Sequence, residues 1–310
     1  MNTHNSISSF SSNKKTIVTI GTFDGLHIGH QKIIQKIVQL ADEENCDSLV
    51  LSFFPHPRMV LQQDNSIKLL NTLNEKEKLF NELGVNHLII HPFDQEFSRI
   101  TAKDFVKKIL VDQLHCKKIV IGYDHRFGRN RTADINDLIA FGNEFGFEVE
   151  QISAEEINAI TVSSTKIRNA ITEGKIEIAN NYLGYCYNFS GKVIKGKQLG
   201  RTIGFPTANI AIDEAYKLLP KNGVYIVSTL IDSKKYLGMM NIGTRPTING
   251  EDQTVEVFII DFNQEIYDTI ITIEVLHFIR DEQKFESLDA LKNQIENDKN
   301  YTLSYINHSF

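Results

Sequence analysis

The first half of the chain alternates short apolar, β-branched runs with longer segments of helical periodicity. Thr72-Leu-Asn-Glu75 and Thr101-Ala-Lys-Asp104 open two of the helical segments, because a hydroxyl there can accept a hydrogen bond from an early amide. Strands that alternate with helices indicate a parallel sheet, with ligands beyond the carboxyl ends of its strands. The pattern therefore predicts an α/β domain whose strands are 16–20, 48–54, 86–91, 118–121 and 147–151.

The second half has a different pattern. From about residue 187, β-rich runs are separated by Gly, Pro, Asn and Asp, and no long helical period returns before about residue 284. Short strands with such turns predict a mainly antiparallel β-barrel, here followed by a C-terminal helix. The predicted barrel strands are 223–231, 236–240, 254–260 and 270–276.

The length of 310 residues allows two domains, each with its own core. Residues 165–183 have a helical pattern that is broken at Gly174 and Gly184, so they are expected to bridge the two halves. We predict a first domain over residues 1–186 and a second over residues 187–310.

Composition narrows the class of protein. Apolar residues at 41% and charged residues at 23% are typical of an ordinary soluble globular protein. The formal charge of -6 argues against general nucleic-acid binding, which requires a basic surface. No transmembrane run is present, and the first fifteen residues lack the apolar run of a secretory signal, so they are expected to form a frayed terminus of a cytoplasmic protein. The three cysteines have no zinc or CxxC spacing and are expected to be apolar fillers: Cys46, Cys116 and Cys186.

Two histidines stand where the first long strand meets a helix. The strand runs directly into Gly21-Thr-Phe-Asp-Gly-Leu-His-Ile-Gly-His30, and helical spacing follows. Gly25 and Gly29 permit a tight turn, and the free amides at the start of a helix favour a phosphate. His27 and His30 can donate hydrogen bonds to that phosphate, so this segment predicts a phosphate site.

A second cluster, Val162-Ser-Ser-Thr-Lys-Ile-Arg168, places three hydroxyls and two cations at the opening of another helix. Ser163 or Ser164 alone would be an ordinary N-cap. Lys166 and Arg168 favour a phosphate ligand instead. HxGH with a later SSTxIR resembles the adenylyltransferase superfamily, in which both motifs bind ATP phosphates.

The acceptor of an adenylyl group is expected at segments that follow other strands. These are Phe53-Phe-Pro-His-Pro57 and Gly122-Tyr-Asp-His-Arg-Phe-Gly128, whose aromatic residues could pack on a flat ring. Phe53 and Phe54 could equally be the core end of a strand, and Arg126 could lie in a solvated loop. Arg129 and Arg131 receive no role.

The stretch 191–209 concentrates glycines and cations before Pro206-Thr-Ala-Asn209. Gly196 and Gly200 permit close approach of the backbone to phosphates, and the oxygens of Thr207 and Asn209 suit magnesium. A β-turn with solvated lysines explains each residue singly but not their concentration.

Glu256 lies in a strand whose alternation places it on one face with Thr254 and Phe258 and opposite Val255 and Val257. An acid at a barrel mouth could accept the proton of a substrate hydroxyl that attacks a γ-phosphate. An exposed strand acid without a catalytic role is the commoner case.

From about residue 16 to the C-terminus, the order of these motifs resembles the bacterial bifunctional riboflavin kinase and FAD synthetase family. The adenylyltransferase-like motifs are Gly21-Thr-Phe-Asp-Gly25, His27-Ile-Gly-His30, Gly122-Tyr-Asp124 and Ser163-Ser-Thr-Lys-Ile-Arg168. The flavokinase-like motifs are Gly204-Phe-Pro-Thr-Ala-Asn209, Gly223-Val-Tyr225, Asn241-Ile-Gly-Thr-Arg-Pro-Thr247 and Val255-Glu-Val257.

The resemblance implies a Rossmann-like nucleotidyltransferase domain, a flavokinase-like barrel, and the conversion of riboflavin to FMN and of FMN to FAD with ATP and Mg²⁺. Phe53, Phe54, Pro57 and Arg126 would then contact the flavin. In the barrel, Gly196 and Gly200 would approach ATP, Thr207 and Asn209 would hold magnesium, and Glu256 would be the base. In the first domain, ATP would be bound by Gly21, Phe23, His27, Gly29, His30, Asp124, Ser164, Thr165 and Arg168.

The sequence departs from the family pattern at His125, where an aromatic residue is expected, and at Tyr185, where Arg is common. Two rival functions remain: an adenylyltransferase for another phosphorylated acceptor with a non-catalytic barrel, and an RNA-binding protein that uses residues 192–201. The expected partners are small molecules, without nucleic acid or membrane, and the expected state is a monomer or weak oligomer.

Overall fold

The computed structural model describes residues 1–64, 66–123, 126–129, 132–153, 162–196, 199–247 and 250–309. They group into two compact units, Met1–Ser164 and Thr165–Phe310. This grouping assigns the helical segment after Ser164 to the second unit, whereas the domain boundary at residue 186 stays a prediction. Among the described helices, none has the length and apolar character to cross a membrane.

The first unit contains a six-stranded parallel sheet in the order β1-β4-β3-β2-β5-β6. The parallel sheet predicted from the alternation of strands and helices is confirmed. Its strands are β1 (Asn2–His4), β2 (Thr16–Ile20), β3 (Asp47–Phe54), β4 (His87–Pro92), β5 (Cys116–Gly122) and β6 (Glu148–Ile152).

Helices connect these strands, and their starts follow the predicted capping chemistry. The hydroxyl of Thr72 accepts from the amide of Glu75, and the Glu75 carboxylate accepts from the amide of Thr72. The helix that begins at Ala102 continues with π-type hydrogen bonding over Phe105–Gln113. The α-helices are α1 (Ile28–Glu43), α2 (Pro57–Leu61), α3 (Leu73–Glu82), α4 (Ala102–Asp104) and α5 (Ile135–Phe145), and 3-10 turns cover Ile7–Ser9 and Phe97–Arg99.

Both faces of this sheet are buried, as expected for a parallel sheet. All five residues of β2 are buried, and successive residues point to opposite sides. Ile17 packs in the core that includes Ile34 of α1 and Phe80 of α3, whereas Val18 packs in the core that includes Phe105 and Leu138. The first unit is therefore a three-layer α/β fold.

The prediction of a frayed N-terminus is wrong. Asn2–His4 forms β1, which extends the sheet beyond β4. Ile7 and Phe10 are buried at 7% and 3% exposure, and His4 Nε2 lies 3.1 Å from His87 Nδ1. The segment is ordered because it satisfies the edge of β4 and buries two apolar side chains, which a short polar stretch does not reveal in sequence.

The second unit begins with α6 (Ser164–Thr172), whose first residue belongs to the first unit, and α7 (Ile176–Leu183). Gly174 and Gly184 have φ of 77° each, as the predicted helix breaks require. A closed antiparallel barrel follows in the order β10-β11-β8-β7-β12-β9. Its strands are β7 (Asn188–Ile194), β8 (Ala208–Ala211), β9 (Gly223–Ile231), β10 (Lys234–Thr247), β11 (Gly250–Ile259) and β12 (Ile270–Arg280).

The antiparallel barrel and the C-terminal helix are confirmed, with a correction to the stretch 191–209. Both ends of this stretch are strands, β7 and β8, and a short helix, α8 (Leu199–Thr202), lies between them. The final helix, α9 (Leu288–Ser309), is tied to β12 because Arg280 bonds both carboxylate oxygens of Asp298, at 2.7 Å from Nη2 to Oδ2 and 3.1 Å from Nε to Oδ1.

The cysteines carry free thiols, as expected. Cys46 and Cys116 are buried and Cys186 is half-buried. Burial raises the pKa of the Cys116 thiol, so this side chain behaves as an apolar filler.

Candidate active sites

The strand order of the first unit creates a crevice beside β2. The chain runs from β2 to β3 and β4 on one side, and then returns to place β5 on the other side of β2. In open α/β sheets, ligands bind at the carboxyl ends of the strands where the order reverses. The loop after β2, which carries the predicted phosphate-binding motif, lies at this position.

This loop has an unusual backbone. Phe23, Gly25 and Leu26 have φ of 46°, 82° and 34°. Phe23 is only 3% exposed, and its ring contacts His30 and Phe80 edge-on, with centroid distances of 5.2 and 5.8 Å. A Cβ on Gly21 would lie 3.1 Å from that ring. The ring of Phe23 is therefore a packing element against which Gly21 fits closely, and ATP binding by these two residues stays a prediction.

The two histidines form a stacked pair at the start of α1. Their ring centroids are 3.6 Å apart, with an interplanar angle of 17°. His27 is the N-cap, and its Nδ1 accepts a hydrogen bond from the amide of His30 at 3.3 Å. Because Nδ1 is an acceptor, the neutral ring carries its proton on Nε2. Gly29 is buried in the first turn between them.

Both imidazoles are neutral at physiological pH. Burial lowers the pKa of His27 to about 4, against the opposing charge of Asp24. Burial, together with the charges of His27 and Lys76, lowers the pKa of His30 well below its ordinary value. The Nδ1 atom of His30 is buried and has no hydrogen-bond partner among the described residues, a costly condition that a bound ligand can relieve. The pair therefore supplies neutral polar groups at a helix start.

Asp24 connects three segments around this loop, and its role was not predicted from sequence. Its Oδ1 accepts from the amides of Leu70 and Asn71, at 2.9 and 3.4 Å. Its carbonyl oxygen accepts from Ser164 Oγ at 2.9 Å. The bond from Ser164 therefore joins the start of the Val162–Arg168 motif to the Gly21–His30 motif.

The remaining residues predicted to bind ATP are placed less fully. Thr165 and Arg168 lie on α6, and Arg168 follows Ser164 by four residues on the same helix face. Both belong to the second unit, so their approach to the histidines stays a prediction. Asp124 and His125 lie outside the described residues, as does the unassigned Arg131.

The residues predicted to contact the acceptor lie at the end of β3 (Phe53 and Phe54), just after it (Pro57) or after β5 (Arg126), and these strands are the two neighbours of β2. Phe53 is half-buried and packs on Phe93 and Phe97, with centroid distances of 5.7 and 5.5 Å. Phe54 and Pro57 are also half-buried, and Arg126 is exposed. Phe53 is thus partly a core residue, and flavin contacts by these four stay a prediction.

In the second unit, a row of polar residues crosses three strands. Glu256 of β11 lies opposite Asn209 of β8 and opposite Asn241 of β10. Residues directly opposite in antiparallel strands share a face. Val255 and Val257 are buried, whereas Thr254, Glu256 and Phe258 are half-buried, as the predicted alternation requires. The row therefore lies outside the barrel core, and Asn241, which was not assigned a role, also bonds Glu282 Oε1 through Nδ2 at 3.3 Å.

The glycines of the stretch 191–209, which is predicted to bind a nucleotide, pack beside this row of polar residues. A Cβ on Gly196 would collide with the side-chain amide of Asn209, and one on Gly200 would collide with the Phe205 carbonyl and lie 3.6 Å from Thr207 Oγ1. Glycine is therefore sterically required at Gly200, where the backbone is in the way, whereas a side chain at position 196 would displace the amide of Asn209. Thr207 and Asn209 offer oxygen donors, which fit magnesium. Within the described ranges, no group of three or more His, Cys, Asp or Glu could hold a metal.

Comparison with known proteins covers both units. The FAD synthetase family matches residues 9–166 and the riboflavin kinase family matches residues 183–306. A bifunctional riboflavin kinase/FMN adenylyltransferase from Haemophilus influenzae is 40% identical over 291 residues, or 94% of this chain and 94% of that protein. The protein of the same name from Listeria monocytogenes is 38% identical over 291 residues, or 93% and 92% of the two chains.

A solved structure has the same fold. The crystal structure of a macrolide-efflux protein from Streptococcus pneumoniae matches with a TM-score of 0.89 at 31% identity, over 97% of this chain and 98% of that one. The family matches, the curated relatives and the placement of the two motif sets agree, and the chain belongs to the family of bifunctional riboflavin kinase/FMN adenylyltransferases.

Proposed function

We propose that this chain phosphorylates riboflavin to FMN in its second unit and adenylylates FMN to FAD in its first unit, with ATP as co-substrate in both steps. The observation that carries the proposal is that residues 9–166 match the FAD synthetase family and residues 183–306 match the riboflavin kinase family. The bond from Ser164 Oγ to the Asp24 carbonyl supports the first site, and the pairing of Asn209 with Glu256 supports the second.

In the kinase step, Glu256 accepts the proton of the riboflavin hydroxyl as that oxygen attacks the γ-phosphorus of ATP, and ADP leaves. A carboxylate beside Asn209 is suited to this role because the side chains of the row face the same side of the barrel wall. Gly196 and Gly200 allow the nucleotide loop to approach phosphates closely.

In the adenylylation step, a phosphate oxygen of FMN attacks the α-phosphorus of ATP in line, and pyrophosphate leaves. No covalent intermediate with the protein is needed, so the site acts by orientation and by stabilising negative charge. His27 donates through Nε2–H, His30 and the helix start bind phosphate oxygens, and Arg168 stabilises the departing pyrophosphate. Phe53, Phe54, Pro57 and Arg126 contact the flavin.

Magnesium is part of the proposal for the kinase site, where Thr207 and Asn209 hold it. Bound there, the ion supplies positive charge to the transferring phosphoryl group. Thr207→Val should raise the magnesium concentration that gives half-maximal FMN formation, whereas Thr207→Ser keeps the hydroxyl and should not. Equal magnesium dependence of the two variants would refute this ligand.

Small molecules are the proposed partners, with no nucleic acid or membrane, and the proposed state is a cytoplasmic monomer or weak oligomer. The formal charge of -6 supports the absence of a nucleic-acid partner. Salt-sensitive RNA binding in a gel shift would contradict it. Sedimentation at several protein concentrations tests the oligomeric state.

The product assay tests the function directly. The purified chain with riboflavin, ATP and Mg²⁺ should yield FMN and then FAD by chromatography. A parallel reaction with supplied FMN tests the second step alone. Absence of FMN in the first reaction refutes the kinase assignment. Pyrophosphate release with a non-flavin phosphorylated acceptor, and none with FMN, would favour the rival adenylyltransferase.

A further inference from the structure

Lys76 lies buried beneath the loop that carries the histidine motif. It belongs to the first turns of α3 and is 5% exposed. Its Nζ donates to the carbonyl oxygen of Thr22 at 2.8 Å, and Ser52 Oγ donates to the same oxygen at 3.3 Å. The loop between β2 and α1 is thus held from below by an ammonium group on a different helix.

A buried ammonium group is costly unless negative charge or several acceptors surround it. Burial lowers the pKa of Lys76, and the charge of Asp24, which is 2% exposed, opposes that effect. The Asp24 carboxylate also accepts from the amides of Leu70 and Asn71, so it is shared among several donors. An anion bound at the loop would add compensation for Lys76.

Lys76 is also close enough to the histidine pair to act on it. Its positive charge is one of the causes that lower the pKa of His30. His30 is neutral, so the positive charge at this site comes from the ammonium group of Lys76 inside the fold. The attraction of phosphates therefore does not depend on protonated histidines.

The backbone that Lys76 anchors is strained. Phe23 and Leu26 have φ of 46° and 34°, in the left-handed region that non-glycine residues rarely adopt. Such a turn persists only where the surroundings fix it. The bond from Lys76 to the Thr22 carbonyl fixes the first peptide of the turn. The N-cap bond between His27 and the amide of His30 fixes the chain where the turn ends.

We propose that Lys76 is a positioning residue for adenylyl transfer: it holds the Thr22–Leu26 turn and places a buried positive charge behind the ATP phosphates. This inference rests on the proposed function of the first unit. It predicts that loss of the charge weakens ATP binding in the first unit. The binding of FMN there, and the kinase reaction of the second unit, should not change.

The test compares Lys76→Met, Lys76→Arg and the matched control Lys78→Met, which removes an exposed lysine two residues further along α3. Adenylylation is measured with supplied FMN, varying ATP and FMN separately. Lys76→Met should raise the KM for ATP on the order of tenfold, with the KM for FMN within about twofold of the wild type. Lys76→Arg should recover most of the loss, and Lys78→Met should match the wild type.

The pKa of His30, measured by NMR titration of its imidazole resonances, gives a second readout. A role of Lys76 in packing alone would leave this pKa unchanged. Lys76→Met should raise the pKa of His30, because a neighbouring positive charge is removed. Unchanged ATP kinetics in Lys76→Met would overturn the proposal. So would an equal rise of the KM for ATP and for FMN, or an equal loss in Lys76→Met and Lys76→Arg with an unshifted His30. A wild-type chain that forms no FAD from FMN would instead refute the function itself.

Discussion

Glu256 and Asn209 lie directly opposite each other on the adjacent antiparallel strands β11 and β8. The two residues are 47 positions apart in sequence, and the register of the barrel brings the proposed base beside a proposed magnesium ligand. Their shared face is the structural reason for choosing Glu256 as the base.

Glu256→Gln should abolish FMN formation while adenylylation of supplied FMN continues. A general base typically contributes about 100-fold to 10,000-fold, and Gln keeps the size of the side chain without its basicity. Initial rates of both reactions, measured on one preparation, provide the check. Glu265→Gln, at an exposed loop acid of the same unit, is the control. Full kinase activity in Glu256→Gln would exclude the residue as the base.

His27→Asn should stop the reaction sequence at FMN. Asn is a good N-cap, so the variant keeps the cap of α1 while it removes the imidazole, with its Nε2–H donor and its stacking on His30. We expect FAD formation to fall by about 100-fold, as for the loss of one donor to a developing oxyanion. Chromatography of flavins over time shows whether FMN accumulates. His115→Asn is the control, since His115 is exposed with φ of 51°, which Asn tolerates. Equal FAD yields from the two variants would remove His27 from the site.

The first unit should lose stability as the pH falls below about 6.5, the ordinary pKa of histidine. His4, His27, His30 and His91 all have lowered pKa values in the folded chain, with burial as the largest cause. The unfolded chain then binds more protons, so acidification favours unfolding. With a folded pKa of about 4, His27 alone should account for about 1 kcal/mol between pH 7.5 and 5.5.

Hydrogen exchange at these two pH values resolves the units separately. Amides of β2 and β3 should open more readily at pH 5.5, relative to amides of β9 in the barrel. Equal changes in both units, or none in the first, would contradict the assignment of the effect to these histidines.

Phe10→Ala should destabilise the first unit by about 3–5 kcal/mol, since it empties a buried aromatic site beneath the N-terminal segment. Thermal unfolding measures the loss, and Ser8→Ala, at an exposed position beside it, should be neutral. Kinase activity at low temperature should persist. An unchanged melting temperature would contradict an ordered N-terminal segment and support the frayed terminus predicted from the sequence.

The sequence patterns predict the architecture well where a strand buries both faces. β2 and β3 are apolar runs of the expected length, and their boundaries agree with the prediction within one residue. β1 is different, because it has three polar residues and exists through pairing with β4. Its stability comes from contacts that are distant in sequence.

The site residues likewise divide into those with a local sequence signal and those that depend on contacts distant in sequence. The histidine pair was predictable because strand, glycine turn and helix start are contiguous. Lys76 was not, since its segment reads as an ordinary capped helix, and only the tertiary fold brings its ammonium to the Thr22 carbonyl. The bond between Ser164 and Asp24 joins residues 140 positions apart and has no local signal.

The boundary between the two compact units lies inside α6, and this limits which fragments of the chain could be active. Ser164 is the last residue of the first unit, whereas Thr165 and Arg168 continue the same helix in the second. A fragment that ends at residue 164 would therefore keep the histidines and lose the arginine proposed to assist pyrophosphate departure. If Arg168 has the proposed role, the shortest fragment that adenylylates FMN is longer than the first compact unit, and the compact unit and the catalytic unit differ in extent.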